Sequence, residues 1–159
     1  MKMKTYIGTK TIQAKPESQN NQPGYAVLSP DGCRSWSPED VFEDAYREAD
    51  GMSFGLAIEA MKRGLKVARK GWNGKGMFCI YVPGTIGITF RKGTPYAEAV
   101  GIEPNQEILP HIDMYTVNSE GRRAMLPGWL ASQTDMLADD WGLVLDVEPN
   151  GLDGLDGEQ

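Results

Sequence analysis

The sequence predicts an α+β chain: a small antiparallel sheet with short helices, preceded by a small ββα module. Two observations carry the prediction. Short β-prone runs are joined by tight-turn sequences, Ser29-Pro30-Asp31-Gly32 and Asn73-Gly74, which favour hairpins over long crossovers. The runs with helical spacing are brief and bring their own start signals, Ser37-Pro38, Ser53 and Ser132. The length, 159 residues with 40% hydrophobic and 24% charged, suits one compact domain with an appendage.

Taken in order, Thr5-Tyr6-Ile7 and residues 9–12 are β-like, and residues 15–24, Lys-Pro-Glu-Ser-Gln-Asn-Asn-Gln-Pro-Gly, read as a loop or linker. Residues 25–28 and 33–36 bracket the Ser-Pro-Asp-Gly turn as a hairpin. Ser37 is expected to cap a helix, with Pro38 at its first position and Glu39 and Asp40 facing the positive end of its dipole. Val41, Phe42, Ala45 and Tyr46 give that helix an apolar face to about Glu48.

Asp50-Gly51 breaks the chain, and Ser53 caps a second helix whose Phe54, Ile58, Met61 and Leu65 share a face, with Gly64 as its stop. A basic strand over 66–70, the Asn73-Gly74 turn and a strand over 77–82 follow. Residues 86–90 are β-like, and 96–100 can form a turn of helix. His111 to Val117 alternates as a strand, 118–121 turns, and 122–126 pairs back. Ser132 and Asp135 have capping-box spacing, with Asp where Glu or Gln is usual. A helix to Asp139 and an apolar strand over 141–147 complete the order. The organisation expected is an extension over 1–51, a main domain over 52–147, and an acidic, disordered tail over 148–159.

The formal net charge is −6, unevenly spread. From Ala60 to Ala97 there is no Asp or Glu, while Lys62, Arg63, Lys66, Arg69, Lys70, Lys75, Arg91 and Lys92 all fall there. Such segregation suits a small anionic ligand better than long nucleic acid, which the acidic remainder repels. No apolar run reaches the roughly 18 residues of a membrane span, and the N-terminus lacks the apolar core of a secretory signal. A cytoplasmic location is the default expectation. Cys33 and Cys79 form neither a disulfide framework nor a zinc site and are expected to be reduced.

The chemistry concentrates in residues 67–77, Val-Ala-Arg-Lys-Gly-Trp-Asn-Gly-Lys-Gly-Met. Trp72 offers a stacking face and Asn73 donates and accepts hydrogen bonds. Gly71, Gly74 and Gly76 admit close approach or positive φ, and Arg69, Lys70 and Lys75 can meet phosphate. A plain Asn-Gly hairpin is compatible with this, since hairpin tips often carry binding residues. Elsewhere the sequence offers no catalytic engine. His111 is the only histidine, too few for a metal site even with Asp113, and Glu59 has no partner carboxylate. Walker and dinucleotide motifs are absent. Trp129 and Trp141 read as core. Thr134 and Asp135 cap a helix, whose N-terminus also suits anions and hydroxyls.

Ser53-Phe54-Gly55, the run 67–77, Leu109-Pro110-His111-Ile112-Asp113-Met114, Trp129-Leu130-Ala131-Ser132-Gln133-Thr134-Asp135-Met136-Leu137-Ala138 and Asp140-Trp141 resemble the second family of phage-encoded Thoeris anti-defence proteins. The resemblance covers about 52–145 and leaves the first 51 residues outside it. It implies a homotetrameric molecular sponge, without cofactor or catalysis, that captures the cyclic ADP-ribose signals of TIR-domain immune enzymes. Some members also take cyclic dinucleotides at a separate site. By matching positions, Phe54 and Trp72 would stack, Asn73, Arg69 and Lys75 would meet phosphate or ribose, and Thr134 and Asp135 would meet ribose hydroxyls or the adenine edge. A ligand of roughly 35 heavy atoms at about 0.3 kcal/mol each reaches near-nanomolar affinity. The alternatives are a hydrolase of the same signals and an inhibitor that binds a host defence protein directly.

Overall fold

The structure is a computed structural model and describes residues 3–72 and 76–145. The Asn73-Gly74-Lys75 tip and the acidic tail lie outside the described residues.

The chain opens without a strand over residues 3–12, where Thr5-Tyr6-Ile7 and 9–12 were expected to be β. The first strand, β1 (Gln13–Pro16), instead takes the start of the expected linker. It pairs antiparallel with β2 (Gly24–Leu28), Pro16 opposite Tyr25, and as an edge strand it tolerates a proline without losing a central ladder bond. Asn20 and Asn21 turn the chain at φ 52° and 62°, the left-handed region that Asn tolerates best among non-glycine residues. β2 pairs with β3 (Arg34–Pro38) across the Ser-Pro-Asp-Gly turn, so the expected hairpin gains a third strand. Ser37 is part of this ladder, opposite Tyr25, and its hydroxyl meets Pro38 O at 3.3 Å. It is therefore not the helix cap, and α1 (Glu39–Ala45) starts from Pro38 with no side-chain cap and ends before Glu48. The Phe42 ring stacks between Tyr25, at 4.1 Å, and Tyr46, at 4.9 Å.

Ser53 caps α2 (Phe54–Lys62), its Oγ accepting from Leu56 N. The helix lays Ala57, Ala60 and Met61 on an antiparallel sheet ordered β10 (Trp141–Leu143), β4 (Val67–Arg69), β5 (Phe78–Val82), β8 (His111–Val117) and β9 (Arg123–Leu126). Small residues at 57 and 60 let helix and sheet approach closely. Register sets one row of core residues across three strands: Val67 opposite Cys79, and Cys79 opposite Met114. With Trp141, Met52 and Met61 these form the main core, and a fully buried Trp141 or Met61 contributes about 1.5–3 kcal/mol. Cys79, fully buried, has its thiol pushed up to about 12, first by burial and then by the Asp135 charge.

A two-stranded sheet, β6 (Thr85–Ile88) with β7 (Gln106–Ile108), stands apart from the five-stranded one, joined through α3 (Pro95–Val100). β7 has no forewarning in the sequence. The final helix, α4 (Gln133–Met136), stops three residues short of the expected Asp139. β10 ends at Leu143, short of the expected residue 147, although Val144 N still donates to Lys66 O at 2.9 Å in line with the ladder. Among the described residues no helix is long and apolar enough to cross a membrane.

Candidate functional site

Alternation along β4 places Arg69 on the same face as Val67, at the end of the core. Its partner across the ladder is Trp141. A guanidinium in that position needs carboxylates, and α4 and the turn before β10 supply two. Arg69 Nη1 donates to Asp135 Oδ1 at 2.9 Å, and Nε donates to Asp140 Oδ1 at 2.7 Å. The Arg69 side chain is 16% exposed, and its pKa is raised by the Asp140 and Asp135 bonds. The pairings span 66 and 71 residues of sequence.

Asp135 is the hub. Its Oδ1 also accepts from the Trp72 indole Nε1 at 3.1 Å, while Oδ2 accepts from Ser132 N at 2.9 Å and Ser132 Oγ at 2.6 Å. With Asp135 N donating to Ser132 Oγ at 3.2 Å, the expected capping box is complete. The Trp141 indole donates to Asp135 O at 2.9 Å. Burial alone would raise the Asp135 carboxyl, but the bonds from Ser132, Arg69 and Trp72 more than offset it and hold it well below the usual range. Asp140 is lowered by Arg69, against burial, and by the Gly71 amide, which reaches Oδ2 at 2.9 Å.

Three indoles surround this hub edge to face: Trp72 lies 5.3 Å from Trp141 and 5.9 Å from Trp129. Phe54 packs on Trp141 at 5.4 Å. Trp72 and Phe54 are half-buried, and Thr134 is exposed with its hydroxyl 3.0 Å from Ser132 Oγ. The structure thus brings Phe54, Arg69, Trp72, Thr134 and Asp135 to one end of the sheet, while Asn73 and Lys75 lie outside the described residues. Trp141 is core, as expected, and Trp129 packs against it.

Sequence reasoning missed Asp140 as a member of this network. The available clue was Val67-Ala68-Arg69, which puts a charge on a buried strand face and so demands an acid. His111 is held by Leu109 O at 2.8 Å and Asp113 at 3.4 Å, the kinds of partner expected for it. Among the described residues no group of three or more His, Cys, Asp or Glu is placed to hold a metal. A groove of about 1070 Å³ runs between Thr9, Thr11 and Ile12 and helix α2, and a recess of about 520 Å³ adjoins Ser53 and Asp139. Trp72 lines neither.

A family model, the Thoeris anti-defense 2-like domain, matches residues 52–144. Thoeris anti-defense 2 of Bacillus phage SP01 is 33% identical over 93 residues, which are 58% of this chain and 94% of that protein. Both the Trp72–Asp135 network and the helix and sheet that carry it fall inside the matched residues. The chain therefore belongs to the Thoeris anti-defense 2-like family of phage anti-defence proteins.

Proposed function

We propose that the chain is a sponge: it binds a cyclic ADP-ribose-type immune signal in the infected cell's cytoplasm and withholds it, unaltered, from the host effector. The observation that carries this reading is the fixing of Trp72. Its indole N–H is committed to Asp135 and its ring is wedged against Trp129 and Trp141, yet it stays half-exposed. Stacking on a preset aromatic is worth about 1–3 kcal/mol per base, and pre-setting it reduces the ordering cost of binding. Thr134 offers an exposed hydroxyl for a ribose and Phe54 extends the aromatic wall, and Asn73 and Lys75 are the further residues we assign to the ligand. Cyclic dinucleotides are a second ligand class, and the working unit is a homotetramer.

Hydrolysis of such a signal would call for a positioned proton donor or base. Asp135 and Asp140 are held ionised, with their oxygens already accepting from Arg69, Trp72, Ser132 and Gly71, which favours capture over turnover.

Filtration separates the two outcomes. Glycocyclic ADP-ribose mixed with excess protein is expected to vanish from the protein-free filtrate and return unaltered after heat denaturation. Return as a new species would make the protein a hydrolase, and persistence in the filtrate would overturn the reading. Trp72→Ala is expected to weaken capture at least tenfold with the fold intact.

A further inference from the structure

We propose that Asp140 is a positioning residue for ligand capture: it fixes the backbone of the turn that follows β4 and so sets where Trp72 presents its ring. The inference rests on the sponge reading and assigns, within it, the residue that places the stacking face.

An indole tethered only at its N–H can pivot about that bond. Asp135 holds Trp72 at Nε1, so the direction of the ring depends on a second fixed point, the backbone of residue 72. β4 ends at Arg69, and the backbone amides of the next three residues each have an acceptor. Lys70 N donates to Asp140 O at 3.1 Å, Gly71 N to Asp140 Oδ2 at 2.9 Å, and Trp72 N to Arg69 O at 3.3 Å. Two of the three acceptors belong to Asp140. Its neighbour in the chain, Trp141, meets the Trp72 ring at 5.3 Å, so consecutive residues hold the backbone and the ring of one turn.

Asp140 divides its carboxylate between two tasks. Oδ1 serves Arg69, accepting from Nε at 2.7 Å, whereas Oδ2 lies 2.9 Å from Gly71 N and 3.4 Å from Arg69 Nη2. A counter-ion alone has no need of the amide. Glycine at 71 makes that bond possible: a Cβ there would stand 2.9 Å from Asp140 Oδ2 and 3.4 Å from Arg69 Nη2. The carboxylate, tied to Arg69 through Oδ1, gives way to such a Cβ only by loosening its bonds. Gly71 is itself exposed, so the close approach constrains the turn and not the core.

The test is a double-mutant cycle of Asp140→Ala with Trp72→Ala, read as affinity for glycocyclic ADP-ribose by titration calorimetry, with urea unfolding to monitor the fold. Asp140→Ala is expected to weaken capture about tenfold in the otherwise unmodified chain and by less than about twofold in the Trp72→Ala background, because residues that act through one another do not add. Gly71→Ala, which leaves every charge in place, is expected to reproduce both results. Full weakening by Asp140→Ala in the Trp72→Ala background overturns the proposal, since Asp140 then acts through the charge of Arg69 or on the ligand itself. Capture by Gly71→Ala equal to that of the unmodified chain also overturns it and leaves Asp140 as a counter-ion. If Asp140→Ala does not fold, the Gly71→Ala cycle decides alone. Absence of binding by the unmodified protein overturns the sponge reading and this inference together, whereas binding with an additive cycle overturns this inference only.

Discussion

Asp135 shows how one side chain can organise a surface by being fully used. Its two oxygens accept from Arg69, Trp72 and both donors of Ser132, so removing it leaves the part-buried Arg69 with Asp140 alone, strands an indole N–H and breaks one half of the α4 capping box. Breaking a buried ion pair from one side typically costs about 3–5 kcal/mol. Asp135→Ala is accordingly expected to lose about 3 kcal/mol in urea unfolding at neutral pH, and a loss below about 1 kcal/mol would show that the network is ornamental. The same bonds predict an acid limb. Asp135 and Asp140 are both depressed below their unfolded values, so their contribution is complete above the ordinary carboxylate pKa of about 3.9. It is lost as pH falls through their lower folded values. Unfolding midpoints should hold from pH 7 to 5 and drop below about pH 4, and the drop should shrink in Asp135→Ala.

At the scale of elements, local chemistry was legible and pairing was not. The Ser-Pro-Asp-Gly hairpin, the Ser53 cap and the Ser132–Asp135 box are each decided by residues within four positions of one another, and each is present. β1 and the bare segment before it were exchanged because strand status there depends on what lies alongside: Gln13 to Pro16 find β2, whereas the more β-prone Thr5-Tyr6-Ile7 find no strand partner among the described residues. Ser37 had the composition of a cap and was claimed by a ladder. Phe54, Arg69, Trp72, Thr134 and Asp135 could be named from the sequence as candidates, but the commitments of Arg69 and Trp72 to Asp135 cross more than 60 positions and only the fold reveals them. One element carries a sharp steric test. A Cβ on Gly24 would overlap Ser37 O and the Trp36 ring of the paired strand β3. Gly24→Ala should destabilise the three-stranded module by about 1–3 kcal/mol, read by Trp36 fluorescence, while Trp72 capture of ligand stays unchanged.

At the scale of the molecule, the question is how far the first 51 residues and the family-matched remainder depend on each other. The family match starts at Met52, the residue that exchanges both backbone bonds with Trp141 at 2.8 and 3.1 Å. Upstream of it the ties are few and polar: Ala49 O accepts from Leu143 N at 2.9 Å, Asp50 meets Lys70 in an exposed pair, and Arg63 reaches Thr9 and Thr11. Exposed ion pairs contribute about 0–1 kcal/mol. Between the N-terminal segment and α2 lies the groove of about 1070 Å³. The buried residues of the main core, from Met52 to Trp141, all lie within residues 52–144. A chain beginning at Ala49, which keeps the carbonyl that Leu143 uses, is therefore expected to fold by itself. Its near-ultraviolet dichroism should keep the indole signature of the Trp72, Trp129 and Trp141 cluster, and it should capture glycocyclic ADP-ribose within about threefold of the full chain, a difference of under 1 kcal/mol. Loss of the indole signature on truncation would mean that the N-terminal module completes the core, which would make the chain a single cooperative unit.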